Sequence, residues 1–157
     1  MNNPPPLAGS EQFSAQQALQ QAIQLQMQGK LDRAALQYQE ILKSWPSNFD
    51  AKHLLGIIRA QQGRNLEALE LIGAALKTNP HDAPALSNFG IVLQRSGRSE
   101  RALASFDRAL AIQPGHVDAL FNRGLALIAL GRPEDALASF DKALAIRSTT
   151  SESFSPP

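Results

Sequence analysis

The feature that most constrains the fold is a repeat of 34 residues along the chain. Ala102–Ile112 returns at an offset of 34 as Ala136–Ile146, with ten of eleven residues identical. The same offset aligns whole columns of residues: Gly29, Gly63, Gly97 and Gly131; Ala34, Ala68, Ala102 and Ala136; Tyr38, Ile72, Phe106 and Phe140; Leu42, Leu76, Leu110 and Leu144; Pro46, Pro80 and Pro114. Such a period marks a chain of stacked units, each burying its apolar face against its neighbours.

Each unit has the pattern of two helices joined by a turn. The glycine column divides every unit into two stretches of about 13 residues, and glycine suits the left-handed conformation that ends a helix. The prolines end the second helix of a unit, because proline cannot continue a helix. We therefore predict an all-α solenoid of about eight helices over residues 14–148, in units 15–48, 49–82, 83–116 and 117–150.

Composition excludes several classes of function. Fifteen Lys and Arg against fourteen Asp and Glu give a net charge of +1, which provides no basic surface for nucleic acid. The absence of cysteine excludes disulfides and thiolate chemistry. No apolar run approaches the ~20 residues of a membrane span, and the N-terminus lacks the features of a signal peptide. We predict a cytoplasmic protein that binds neither nucleic acid nor membranes.

The motif within each unit resembles the tetratricopeptide repeat. That family carries Leu-x-x-x-Gly-x-x-Leu in the first helix and Ala-x-x-x-Phe-x-x-Ala-Leu in the second. The third unit matches in full, through Leu86, Gly90, Leu93, Ala102, Phe106, Ala109, Leu110 and Pro114. The second unit departs from it with Lys52 and Arg59, and the first unit departs with Gln21. The resemblance implies a right-handed superhelix whose concave face, lined by the first helices, binds peptides or partner proteins.

On that architecture, the groove is lined by first-helix residues that the core columns do not use. We predict the following groove residues: Gln20, His53, Leu54, Ile57, Ser87, Asn88, Ile91, Phe121, Asn122 and Leu125. Asn88 and Asn122 share one column, and a side-chain amide can both donate to and accept from a peptide backbone. This arrangement is similar to the asparagine ladder in the repeat arrays of O-linked N-acetylglucosamine transferases.

Each of these groove features has a structural alternative. Asn88 and Asn122 would also be explained if they only form hydrogen bonds between adjacent helices. The aliphatic column of Ile57, Ile91 and Leu125 would also be explained as core, because apolar residues at helical spacing are most often buried.

The sequence offers no catalytic or metal-binding constellation. His53, His81 and His116 lie in different units, so none pairs with another at the spacing of a helical metal site. Asp107 and Asp141 are interpreted as solvated charges on the outer face of the second helices. A carboxylate clamp is not expected, because no base occupies the column Gln16, Asp50, Pro84 and Asp118. We predict no enzymatic activity, no cofactor and no metal.

The two ends of the chain carry their own predictions. Residues 1–13, with three consecutive prolines, are predicted to be disordered, and residues 149–157 to form a flexible tail. Ser148 stands where a fourth proline would close the last unit, which leaves Leu137, Phe140 and Leu144 as an open patch. Three explanations stay open: a homodimer through this end, a fragment of a longer protein, or an independent chain with a frayed last helix.

These observations lead to one functional prediction and one alternative. The prediction is a non-catalytic scaffold that binds a peptide or partner protein in its concave groove. The alternative is the N-terminal docking or regulatory fragment of a larger, glycosyltransferase-like enzyme with the same repeats.

Overall fold

The computed structural model describes residues 8–153, which form eight α-helices and no strand. The helices are α1 (Ala8–Met27), α2 (Leu31–Ser44), α3 (Phe49–Gln61), α4 (Asn65–Thr78), α5 (Ala83–Arg95), α6 (Ser99–Ile112), α7 (Val117–Ala129) and α8 (Pro133–Glu152). Each odd-numbered helix packs against the even-numbered helix that follows it, and each even-numbered helix packs against the first helix of the next unit. The predicted all-α solenoid of four helix pairs is confirmed.

The turn inside each unit forms around the predicted glycine. Gly29, Gly63, Gly97 and Gly131 have φ angles of +75°, +75°, +72° and +72°. The N–H after the first of them, on Lys30, donates to the carbonyl of Leu25 at 2.9 Å, and the later units repeat this bond. This pattern satisfies a carbonyl at the end of each first helix and turns the chain into the second helix.

Small residues let the two helices of a unit approach closely. A methyl group added at Gly90 would lie 2.6 Å from Cε1 of Phe106, whose side chain is fully buried. The same relation joins Gly124 to Phe140 in the last unit. The aromatic ring of the second helix therefore occupies the space that a first-helix side chain would need.

The charged residue that departs from the apolar pattern in the second unit is buried. Arg59 is only 7% exposed, in the column otherwise held by leucine. Its Nη1 donates to Oε1 of Gln62 at 2.8 Å, and its Nε lies 3.4 Å from Oε2 of Glu67 on α4. The guanidinium is thus only partly satisfied: Nη1 has a hydrogen-bond partner, whereas the buried Nε has a nearby carboxylate but no hydrogen bond.

The structure differs from the sequence prediction at both ends. The first helix begins at Ala8, inside the segment 1–13 that was predicted to be disordered, because the prolines stop at position 6 and helix-forming residues follow. The last helix continues to Glu152, although a flexible tail was predicted from residue 149. The other parts of those two predictions, residues 1–7 and 154–157, lie outside the described range.

The last helix continues because no proline interrupts it at position 148. Oγ of Ser148 donates to the carbonyl of Leu144 at 2.6 Å, and Oγ1 of Thr150 donates to the carbonyl of Ile146 at 2.9 Å. Unlike proline, serine also keeps the backbone N–H that a helix requires. No helix within residues 8–153 is long and apolar enough to span a bilayer.

Candidate functional site

The predicted amide column lies along the first helices of the four units. Gln20 is exposed on α1, whereas Leu54, Asn88 and Asn122 are half-buried on α3, α5 and α7. Nδ2 of Asn88 donates to Nε2 of His53 at 3.0 Å, and Nδ2 of Asn122 donates to the carbonyl of Asp118 at 2.8 Å. Each amide oxygen has no hydrogen-bond partner among residues 8–153, so it can still accept a bond from a ligand.

The aliphatic column lies one helical turn beyond the amide column, on the same side of the first helices. Ile23, Ile57 and Ile91 are half-buried, and Leu125 is 37% exposed. These side chains are therefore neither fully inside the core nor fully in solvent. Together the two columns form a strip that offers hydrogen-bond acceptors beside apolar surface, and we call it the odd-helix strip.

Two predicted groove residues are buried instead of lining an open surface. His53 is 8% exposed and Ser87 is 2% exposed, whereas Phe121 in the same column is 51% exposed. In the inner units this column faces the unit that follows, and no unit of the described structure covers Phe121. His53 and Ser87 thus lie buried at the joints between units and not on an open surface, whereas the expectation that Phe121 lines the groove stays a prediction.

The imidazole of His53 occupies such a joint. Its ring centroid lies 5.7 Å from that of Phe49, and its Nε2 accepts the hydrogen bond from Asn88 on α5. Burial lowers the pKa of His53, and the carboxylates of Asp82 and Asp50 partly oppose this shift. At neutral pH the imidazole is therefore uncharged, and its hydrogen bond orients the Asn88 amide.

The predicted patch on the last helix is open and forms part of a larger apolar surface. Leu137 and Leu144 are 61% and 63% exposed, and the rings of Phe140 and Phe121 lie 5.5 Å apart. We call these four residues the C-terminal end face. A pocket of about 440 Å³ opens in it, lined by Val117, Asp118, Phe121, Phe140, Ala143, Leu144 and Arg147.

The opposite end of the solenoid carries a row of glutamine side chains on α1. A pocket of about 950 Å³ there is lined by Gln17, Gln20, Gln21, Ile23, Gln24, Leu25, Gln28 and Gln37. Nε2 of Gln37 donates to Oε1 of Gln21 at 3.0 Å, which links α2 to α1. The two ends of the solenoid therefore differ: α1 exposes a row of amide side chains, whereas α8 exposes leucine side chains.

One interaction between units was missed by the sequence analysis. Nε of Arg123 on α7 lies 2.6 Å from Oδ1 of Asp107 on α6, and its Nη1 donates to Oγ of Ser139 at 2.7 Å. Asp107 was interpreted as a solvated charge; it is exposed, and the structure adds that it has an ion-pair partner. The spacing of 16 residues joins a second helix to the next first helix, but one sequence shows no reason to prefer this pair over neighbouring charges.

The described part of the chain, residues 8–153, brings together no group of three or more histidine, aspartate or glutamate side chains suited to a metal ion. His53, His81 and His116 occupy three different positions in the stack. His116 caps α7 through its Nδ1, which accepts the N–H of Ala119 at 3.2 Å.

The stacked helix pairs, the glycine turns and the open strip of first-helix residues define a helical-repeat solenoid. A family model of the tetratricopeptide repeat matches residues 19–83 and 88–150, and the chain belongs to this family. No curated protein matches the sequence.

Solved structures with a similar fold include two of MamA and one of a transferase. A crystal structure of MamA has 20% identity and a TM-score of 0.80, and the match covers 88% of this chain and 81% of that chain. A structure titled MamA AMB-1 has 26% identity and a TM-score of 0.71, covering 83% of this chain and 72% of that chain. The Thermobaculum terrenum O-GlcNAc transferase has 28% identity and a TM-score of 0.72, covering 74% of this chain but only 22% of that chain.

Membership of this family gives the function at a coarse level. Tetratricopeptide repeats are protein-interaction modules, and the four stacked units described above present continuous surfaces for a protein partner. The chain is therefore a protein-interaction scaffold by fold and family.

Proposed function

We propose that the chain is a non-catalytic scaffold that binds an extended peptide segment of a partner protein along the odd-helix strip. The observation that carries this proposal is the pair of amide oxygens on Asn88 and Asn122, which are one unit apart and have no partner among the described residues. Each can accept an N–H from a peptide backbone, and one N–H of the Asn122 amide stays available to donate.

The aliphatic column supplies the apolar part of the same proposed contact. Ile57, Ile91 and Leu125 each follow the amide position by three residues, so a peptide held by the amides would pass over them. Backbone hydrogen bonds give affinity without sequence selection, whereas apolar contacts favour aliphatic or aromatic side chains in the ligand. His53 supports this arrangement because its hydrogen bond to Nδ2 fixes the orientation of the Asn88 amide. The Oδ1 atom is left without a partner among the described residues.

The experiment selects peptides that bind the full chain from a display library of unstructured sequences. Affinities of a selected peptide are then measured for the wild type and for the variant Asn88→Ala/Asn122→Ala. The matched control is Gln39→Ala/Gln113→Ala, which removes two exposed amides, one on α2 and one directly after the end of α6. We expect the asparagine variant to weaken binding about tenfold or more, since each lost bond contributes about 1 kcal/mol. Equal affinities for the asparagine variant and the control would refute the proposed site.

The alternative predicted from the sequence is a docking or regulatory segment of a larger glycosyltransferase-like enzyme. The structural similarity to the O-GlcNAc transferase supports this alternative, although the match covers only 22% of that chain. A sugar-transfer assay on the purified chain cannot separate the two proposals, because neither a scaffold nor a docking segment carries a catalytic domain, so the test is the genomic sequence. A genomic sequence that continues in frame into a catalytic domain would support the alternative, and an in-frame stop followed by unrelated sequence would contradict it.

Two further sequence predictions remain predictions. One is a homodimer through the C-terminal end face, for which light scattering over a range of concentrations is the test. A monomeric mass at high micromolar concentration would exclude it. The other is the cytoplasmic location, which fractionation of cells that express the protein would decide.

A further inference from the structure

The C-terminal end face repeats a surface that is already covered elsewhere in the same molecule. The segment Ala136–Ile146 of α8 differs from Ala102–Ile112 of α6 at a single position, where Lys142 replaces Arg108. In the third unit, the residues equivalent to the exposed Phe121, Leu137 and Leu144 are shielded from solvent. Ser87 is buried, and Leu103 and Leu110 are half-buried against the core. The surface around α6 therefore shows what a covered version of the end face looks like.

The element that covers α6 is the helix α7. Ala119 and Ala126 of α7 are fully buried, in the same core cluster as Phe106 and Ala109 of α6. These two alanines are seven residues apart and so lie on one face of the helix. The earlier joint uses the same register, since Ala85 and Val92 of α5 are buried in the cluster that contains residues of α4.

Arg123 lies between Ala119 and Ala126 on α7, and it contacts one position of the preceding helix. Asp107 of α6 pairs with Arg123 of α7 at 2.6 Å. In the earlier joint the equivalent residues are Gly73 and Phe89, and the ring of Phe89 lies 3.5 Å from where a Cβ on Gly73 would be. The same two positions thus meet in successive joints. On α8 this position is Asp141, an exposed carboxylate that forms no ion pair within the described residues.

We propose that the C-terminal end face binds an amphipathic helix of another protein, one that carries the stripe Ala-x-x-x-Arg-x-x-Ala. Its alanines would pack on Leu137, Phe140 and Leu144, as those of α7 pack around α6. Its arginine would pair with Asp141, in the way that Arg123 pairs with Asp107. This proposal is independent of peptide binding to the odd-helix strip, because the proposed helix packs on α8, whereas the strip lies on the first helices.

The first helix of a second copy of this chain does not carry the stripe Ala-x-x-x-Arg-x-x-Ala. On α1 the positions equivalent to Ala119, Arg123 and Ala126 are Gln17, Gln21 and Gln24, and all three are exposed. Burying these amides against Leu137 and Leu144 would leave polar groups without hydrogen bonds. This mismatch argues against head-to-tail stacking of copies, and the occupant we assign to the end face is a helix of a different protein; a tail-to-tail homodimer is the competing outcome of the test below.

The test uses a synthetic helix copied from α7 as the probe. The fluorescent peptide spans His116–Arg132 and carries Leu120→Gln and Leu127→Gln, because those leucines pack on the second helix of their own unit and would make the free peptide insoluble. A lactam staple between Asp118 and the lysine of Asn122→Lys holds it helical, since isolated helices of this length are marginal in water. A control peptide adds Ala119→Gln and Ala126→Gln, which copies the pattern of α1.

Binding of the probe to the full chain is measured by fluorescence anisotropy. We expect saturable binding of the α7 peptide, and weakening of about tenfold or more when Leu144→Gln removes an apolar contact. The matched control variant is Leu66→Gln, which changes an equally exposed leucine (68%) on α4 and is expected to leave binding unchanged. Both leucines are exposed, so neither change is expected to unfold the protein.

A charge exchange tests the register of the proposed contact. Asp141→Arg is expected to weaken binding of the α7 peptide, and the peptide with Arg123→Asp is expected to restore it. The proposal is overturned if the α7 peptide shows no saturable binding, if the control peptide binds equally, or if Leu144→Gln and Leu66→Gln act alike. It is also overturned if the chain dimerises through this face and excess α7 peptide leaves the dimer intact, since the occupant is then a second copy.

Discussion

At the scale of single residues, His53 was predicted to contact a ligand. In the structure it instead holds in place Asn88, which is the residue proposed to make that contact. The imidazole lies between α3 and α5, where it accepts a hydrogen bond from Asn88 and is almost fully buried. A sequence cannot show this, because its column contains Leu19, His53, Ser87 and Phe121, which share no chemical property. The asparagines of the neighbouring column were recognisable because an amide in two successive units is a chemical pattern.

The first residue-scale prediction concerns pH. The pKa of His53 is lowered from 6.5 in the folded state, so the folded protein binds a proton at this site less readily than the unfolded chain. The stability that comes from the neutral imidazole is complete above pH 6.5, and it is lost as the pH falls below 6.5 towards the folded-state pKa. Urea unfolding at pH 7.5 and pH 5.5 will show a larger loss for the wild type than for His53→Ser.

The variant His53→Ser introduces the residue that the third unit has at this position, Ser87. The protein with this change keeps His81 and His116, so the difference between the two pH dependences isolates His53. Equal losses in both proteins would contradict the assignment of a neutral, buried imidazole at this joint.

The second residue-scale prediction concerns the contact between Gly90 and Phe106. Gly90→Ala should lower the free energy of unfolding by about 1 kcal/mol or more, because overpacking the ring outweighs the gain in helix propensity. Gly115→Ala is the control, since a Cβ at Gly115 meets nothing within 4 Å and its φ is not positive. That change should leave stability unchanged or raise it slightly. Urea denaturation measures both, and equal effects would contradict the close approach of α5 and α6.

At the scale of helices, the 34-residue period predicted all eight elements and their turns, whereas the ends of the array were predicted less well. Gly29 and its equivalents adopt the expected left-handed conformation, because that requirement is local to each turn. The first and last helices extend beyond the predicted bounds, to Ala8 and Glu152, in segments that have no equivalent in the inner units. A periodic pattern carries no information about residues that have no counterpart in the other units.

The helix-scale prediction concerns the pairing of α3 with α4. Arg59→Leu introduces the residue that Leu93 and Leu127 provide in later units, and it should raise the free energy of unfolding by about 1 kcal/mol. Replacing a buried charge by a hydrophobic residue of similar volume is often stabilising. By contrast, Glu67→Gln removes the counter-charge of a buried guanidinium and should lower stability by about 1–2 kcal/mol. Thermal unfolding of both variants is the measurement, and a lower midpoint for Arg59→Leu would contradict this account.

At the scale of the whole molecule, the four units form an asymmetric stack. The exposed face of α1 carries several glutamines, whereas Phe121, Leu137 and Leu144 are exposed at the last end. The sequence predicted this open end from the missing proline at Ser148. It could not predict that Asp141 stands where Asp107 holds an arginine, because that pairing depends on how successive units are positioned.

The central claim is that the protein binds its peptide ligand along the odd-helix strip, and isoleucine methyl NMR tests it most directly. The δ1 methyl groups of Ile57 and Ile91 report on the strip, while those of Ile112 on α6 and Ile146 on α8 report on the second helices. On titration with a selected peptide, the account predicts shift changes at Ile57 and Ile91 and none at Ile112 or Ile146. Changes confined to Ile112 and Ile146 would contradict it.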